Sequence, residues 1–269
     1  MNNYPTYKQS FYLILHWVLF IVIVSLPFII FGYKIASGLP LLICYTVPLA
    51  LTIGRGFHLR QDRSLKFTMH PKVLLLVGPV LIICLEFVIE PFIALLPIDE
   101  SLVELMKDIK DMPVTFFFLA VVAAPVLEEI LFRGIILEGY LKNYKPWTAI
   151  LVSAFLFGLI HLNLAQGVSA FISGILFGWI YWRTRSILLG ILLHFINNVL
   201  AFVSSLYTPL EDIDKSSRQL IDNDILYVCL YLISVGICVW LLTLMQKKYF
   251  QNPVSPLSAM EESITAPEA

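Results

Sequence analysis

The sequence predicts an all-α protein: a polytopic bundle of about eight transmembrane helices with both termini cytoplasmic. Composition is the first indication. Of 269 residues, 59% are hydrophobic and only 14% charged, with a mean hydropathy of +0.84. Soluble domains carry about 25% charged and about 45–50% apolar residues, so a water-soluble fold is excluded, as are disordered, collagen-like and disulfide-scaffold chains. The second indication is length, because the apolar residues form runs near the roughly 20 residues that a helix needs to cross a bilayer. The third is the placement of Lys and Arg, which gather in alternate segments between those runs.

In chain order the predicted spans are 11–32, 35–53, 73–97, 114–132, 147–162, 166–182, 186–208 and 225–246. The first run, from Phe11 to Phe31, is longer than a signal-peptide core and lacks a small-residue cleavage pattern, so it reads as a span. Gly54-Arg55-Gly56, Pro97, Pro113, Pro146 and the Arg183-Thr184-Arg185 turn separate the later ones. Segment 101–112 repeats apolar residues at helical spacing but is too short to span, which suits an outer helix lying along the interface. The tail 251–269 is rich in Pro, Ser and Glu and reads as disordered. The organisation expected is N-terminal helices with the interfacial helix over 1–113, a membrane core over 114–200, an outer loop with the last span over 201–250, and the tail.

With the N-terminus inside and strict alternation, 13 of the 18 Lys and Arg residues fall on the cytoplasmic side. The other 5 are Lys34, Lys107, Lys110, Lys215 and Arg218, in outer segments. Those outer segments are acidic, with Asp99, Glu100, Glu104, Asp108 and Asp111 in one and Glu211, Asp212, Asp214, Asp222 and Asp224 in another. This is the asymmetry of the positive-inside rule. The net charge of −1 carries no message. Cys44, Cys84, Cys229 and Cys238 lie in apolar runs without a CxxC pair and read as inert thiols.

Ionisable groups at mid-bilayer cost about 2.5–3.5 kcal/mol on insertion scales and therefore point to function. Glu128 and Glu129 are adjacent, so they point about 100° apart on a helix and cannot share one role. Glu129 and Arg133 are four apart, a spacing suited to an ion pair, which leaves Glu128 free on the neighbouring face. His161, on Phe157-Gly-Leu-Ile-His161, reads alone as structural. His194 and Asn198 share one helical face, where either catalysis or interhelical hydrogen bonding would suit them. Helical rise allows all three sets to meet near mid-membrane.

A carboxylate and an imidazole converging on one water form a general-base unit, here Glu128 with His161. A second imidazole beside an amide donor, His194 with Asn198, could stabilise a developing oxyanion. These parts suit amide hydrolysis by activated water. No Ser or Cys pairs compellingly with either His. Two His and a Glu also match a zinc ligand set (Glu128, His161, His194), but there is no HExxH and the ligands come from three spans. A reaction needing no cofactor is the expectation, with zinc as the rival.

Glu128-Glu129-xxx-Arg133, Phe157-xxx-His161 and His194-xxx-Asn198, in that order on successive apolar segments, resemble the motifs of the CAAX-protease and bacteriocin-processing family of intramembrane proteases. The resemblance covers roughly 114–200. It implies a helical membrane bundle with endopeptidase activity, Glu128 as base, His161 as its water-binding partner, His194 and Asn198 at the oxyanion, and Glu129 and Arg133 as structural support. The family has been described both as metalloproteases and as glutamate-dependent hydrolases, so the resemblance does not decide the cofactor. The expected setting is a prokaryotic cell membrane. The expected partners are lipid and a membrane-associated protein or peptide substrate, with no nucleic acid. Two other classes fit the intramembrane charges: a proton- or cation-coupled transporter, which lacks repeated halves here, and a non-catalytic peptide-toxin immunity protein.

Outside these motifs, Glu86 invites a functional reading, whereas Glu90, followed by Pro91, reads as sitting near the outer interface. Ala170, Gly174 and Gly178 form a small-residue ridge suited to packing within the bundle. His16, His58 and His70 have no partner at suggestive spacing.

Overall fold

Helix ends fall where side chains can satisfy the loose backbone groups. Thr6 and Gln9 form a capping box ahead of the first helix, and Asn163, Ser186 and Asn223 each accept a backbone N–H from the first turn of a later one. Pro113 and Pro146 stand in the first turns of two more, where a missing N–H costs nothing. The computed structural model describes residues 3–69, 71–97, 100–212 and 215–249, and all regular structure among them is helical. His70, Asp99, Asp214 and the tail 251–269 lie outside the described residues.

Among the described residues, besides a single 3-10 turn at Leu210–Asp212, ten helices follow in order: α1 (Tyr7–Ile30), α2 (Gly38–Arg60), α3 (Leu74–Ile93), α4 (Glu100–Asp111), α5 (Pro113–Asn143), α6 (Pro146–Leu159), α7 (Leu164–Thr184), α8 (Ile187–Tyr207), α9 (Ser217–Ile221) and α10 (Asp224–Tyr249). Seven of them, α1, α2, α3, α5, α7, α8 and α10, are long and apolar enough to cross a membrane. The expected span 147–162 differs: α6 has 14 residues, about 21 Å against a hydrocarbon core of about 30 Å. It ends early because the chain turns sharply at Leu162, in the left-handed region at φ 55°, before Asn163 caps α7. The span expected over 114–132 instead continues to Asn143 as a helix of 31 residues, about 46 Å long. Gly134 does not break it.

α5 is the axis of the bundle. Leu131 through Leu137 are all buried, among residues of α1, α2, α3, α6, α7, α8 and α10 that close into one apolar core. α1 pairs with α2, α6 with α7, and α3 with α10, while α8 touches α3, α5 and α7. The small-residue ridge packs inside the bundle as expected: a Cβ on Gly174 would meet Ala154 and Phe157, and one on Gly178 would meet Ile150. Large apolar side chains such as Val18, Ile23, Val239 and Trp240 cover the outside of α1 and α10. Exposed apolar surface on this scale suits contact with lipid, and the protein is an integral membrane protein.

The short helices between spans also fall into place. α4 occupies the segment expected to be amphipathic, with Met106 and Ile109 turned inward and Lys110 donating to the Leu206 carbonyl at 2.9 Å. Glu90, at the end of α3, accepts from the Ser217 N–H of α9 at 2.8 Å, so its carboxylate ties a span to the segment between α8 and α10.

Candidate active site

Proline and backbone geometry set up the glutamate pair. Within a helix, Pro125 lacks the N–H that would bond Val121, and its ring crowds that carbonyl. The helix answers with wider π-type turns over Phe117–Ala123 and again over Ile130–Leu137, so Glu128 and Glu129 sit on a short α segment, Ala124–Glu129, between them. Such turns disturb the regular carbonyl ladder and recur at functional sites. A side chain from a neighbouring helix takes a carbonyl in each stretch. Asn198 Nδ2 donates to the Ala120 oxygen at 2.7 Å, and Arg60 donates to that of Gly134.

The two glutamates have different surroundings, as their spacing requires. Glu129 is fully buried; its Oε1 accepts from Arg133 at 2.6 Å and lies 3.1 Å from His194 Nδ1. Arg133, 1% exposed, also donates to the Gly174 carbonyl at 3.2 Å and lies over the rings of Phe157 and Phe177, 4.6 and 5.4 Å from their centroids. Its buried charge is thus paired, hydrogen-bonded and faced by two π-systems. Glu128, on the adjacent face, accepts from the Tyr45 hydroxyl through Oε1, and its Oε2 lies 3.8 Å from His194 Nε2. A carboxylate can only accept, so the contact with Glu129 assigns a proton to His194 Nδ1 and turns Nε2 toward Glu128.

The structure therefore gathers Glu128, Glu129, Arg133 and His194 into one buried cluster. Asn198 lies one turn beyond His194 on α8, with one amide N–H committed to α5. His161 stands apart from this cluster. Its Nδ1 bonds the Phe157 carbonyl at 2.9 Å, and it makes no ion pair with Glu128 among the described residues. Both imidazoles nevertheless meet the same Phe157 ring edge-on, at centroid distances of 5.2 and 5.6 Å. Among the described residues, no three His, Cys, Asp or Glu side chains are arranged to hold a metal ion.

Three participants escaped the sequence reading. Tyr45 is a hydroxyl in mid-span on α2, and a phenol there calls for a partner as much as a charge does. Gly190 lets Glu129 approach α8: a Cβ on it would lie 2.7 Å from Oε2. Its placement four residues before His194, on the same helical face, was the available signal. Phe177 stacks on His194 at 5.5 Å, a contact that no local pattern announces.

Fold and cluster together define a helical membrane protein with a carboxylate–imidazole–guanidinium centre buried among its spans. Residues 110–200, which hold every member of that centre except Tyr45, match the family model described as type II CAAX prenyl endopeptidase Rce1-like. The resemblance expected from the three motifs is thereby shown over this segment. Among curated proteins, 99 residues are 28% identical to the Bacillus subtilis (strain 168) protein named "Putative membrane peptidase YdiL", covering 37% of this chain and 41% of that one. The match thus spans less than half of that relative. No solved structure matches the chain.

Proposed function

We propose that this protein is an intramembrane endopeptidase that hydrolyses a peptide bond of a membrane-associated protein or peptide with activated water. The observation that carries the reading is the division between adjacent carboxylates. Glu129 is bound to Arg133 and His194 and has a structural task, while Glu128 keeps Oε2 for a reactant. The family match over 110–200 and the likeness to a named membrane peptidase support it.

In this mechanism a water beside Glu128 Oε2 attacks the scissile carbonyl carbon, and Glu128 takes the proton as the C–O bond forms. General-base help of this kind is worth about 10²–10⁴ in rate. His161, whose Nε2 is not used by the Phe157 contact, is assigned to orient that water, as the resemblance implies. The carbonyl oxygen, now an oxyanion, accepts from His194 Nε2 and from the second N–H of Asn198; one such donor contributes about 10²–10³. Donation from Nε2 requires the imidazolium, and that form gives the cluster two cations, Arg133 and His194, against two carboxylates. A neutral total suits a site shielded from water. Glu128 then returns its proton to the departing amine. No step passes through a metal.

The test compares membrane peptides from cells carrying the wild-type and Glu128→Gln chains at equal abundance. A protein or peptide cut by the first and left whole by the second is expected, and cleavage by purified protein should survive chelators. Full activity of Glu128→Gln would refute the assignment, and activity lost to chelation and restored by zinc would overturn the metal-free route.

A further inference from the structure

We infer that Tyr45 is a positioning residue for the reaction: its hydroxyl pins one oxygen of Glu128 so that the other faces the reacting water. The inference rests on the proteolytic reading above and extends it to α2, which lies outside the matched segment 110–200. Tyr45 is half-buried in the middle of α2 and donates to Glu128 Oε1. The other carboxylate oxygen, Oε2, is the one turned to His194 Nε2. A glutamate side chain rotates about three bonds, and a hydrogen bond to one oxygen removes that freedom before substrate arrives.

α2 is itself fixed, so Tyr45 can act as a reference point. At its inner end Arg60, 2% exposed, reaches the Gly134 carbonyl of α5, and Gly56 lies so close to α5 that a Cβ there would stand 2.9 Å from Ile135. The phenol is thus carried to the depth of Glu128 by a helix bound to the same helix as Glu128. Without its hydroxyl, Glu128 keeps its burial but loses the contact that selects its orientation.

Tyr45→Phe removes only the oxygen. The substrate probe is a synthetic quenched-fluorescence peptide spanning the cut that the wild-type versus Glu128→Gln comparison reveals, assayed with full-length protein in liposomes. A fall in kcat of about 10- to 100-fold, the scale of one hydrogen bond to a charged group, is expected with KM unchanged. The same substitution should cost nothing further in a Glu128→Gln background. In detergent, the melting-temperature losses of Tyr45→Phe and Glu128→Ala should be sub-additive, as for residues in contact. A Tyr45→Phe enzyme as active as wild type, a change confined to KM, or additive melting losses would each overturn the role of Tyr45 and leave the protease standing. A wild-type chain that cuts no membrane peptide would remove both.

Discussion

Neighbouring residues of the same kind, Glu128 and Glu129, are put to different uses by one step of helical rotation. The Glu129–Arg133 pair was legible because four-residue spacing is a local property. That His194 would join Glu129, rather than His161 joining Glu128, was not, because it depends on where Phe157 and Phe177 set the imidazole. Breaking a buried pair by removing one partner costs about 3–5 kcal/mol. Arg133→Met should therefore destabilise the protein by that order, and Arg133→Met with Glu129→Met should recover part of it; thermal melts in detergent compare the two. Gly190→Ala places a methyl group 2.7 Å from Glu129 Oε2. It should cost roughly 1–3 kcal/mol by overpacking in the same melts, whereas Gly236→Ala, with open space around it, should not.

At the scale of elements, the apolar runs announced the helices but not their irregularities. Hydropathy cannot distinguish an α-turn from a π-turn, and only Pro125 hinted at the widened stretches that flank the glutamates. The shortness of α6 was likewise hidden, since Ile160, Leu162 and Leu164 carry the apolar run past Leu159 while the backbone turns. α6 and α7 touch backbone to backbone: a Cβ on Gly158 would stand 2.5 Å from the Gly167 carbonyl oxygen. Gly158→Ala should therefore part the two helices and lower the amount of folded protein, read by size-exclusion chromatography of detergent extracts.

After α2 the chain forms an extended strap over the start of α8, where the Lys66 carbonyl accepts from Ile187 and that of Thr68 from Ser186. Burial raises the pKa of Asp62 in this strap, but the Ser64 N–H and hydroxyl, with Arg60 and Lys142, outweigh it and hold the carboxyl below its ordinary value. A depressed carboxyl stabilises the fold above its unfolded pKa and loses that contribution as pH falls through its folded one. Asp62→Asn should accordingly lower the melting temperature slightly at pH 7, and the difference should vanish in acid below the carboxylate range. The side chain is 49% exposed, so the effect is small.

For the whole molecule, the membrane-spanning character was readable from composition alone because lipid tolerates so few charges. Orientation is a separate matter, and the distribution of Lys and Arg argues that both termini face the cytoplasm. With single cysteines in a chain whose native cysteines are replaced, a membrane-impermeant maleimide applied to intact cells should label Asp212→Cys and spare Asn3→Cys. The opposite pattern would invert the topology.

The π-type turns of α5 have one more consequence. Each widened turn amounts to a residue threaded into a regular helix, and each residue advances the helix by about 100°. A widened turn absorbs its extra residue locally, so removing one residue from 117–123 would let that stretch close to regular α-turns while the glutamates keep their facing. Removing one from the regular segment 124–127 would swing them away from His194 by about 100°. Single-residue deletions should therefore be tolerated better within 117–123 than within 124–127, a bias that deep mutational scanning with codon deletions would expose.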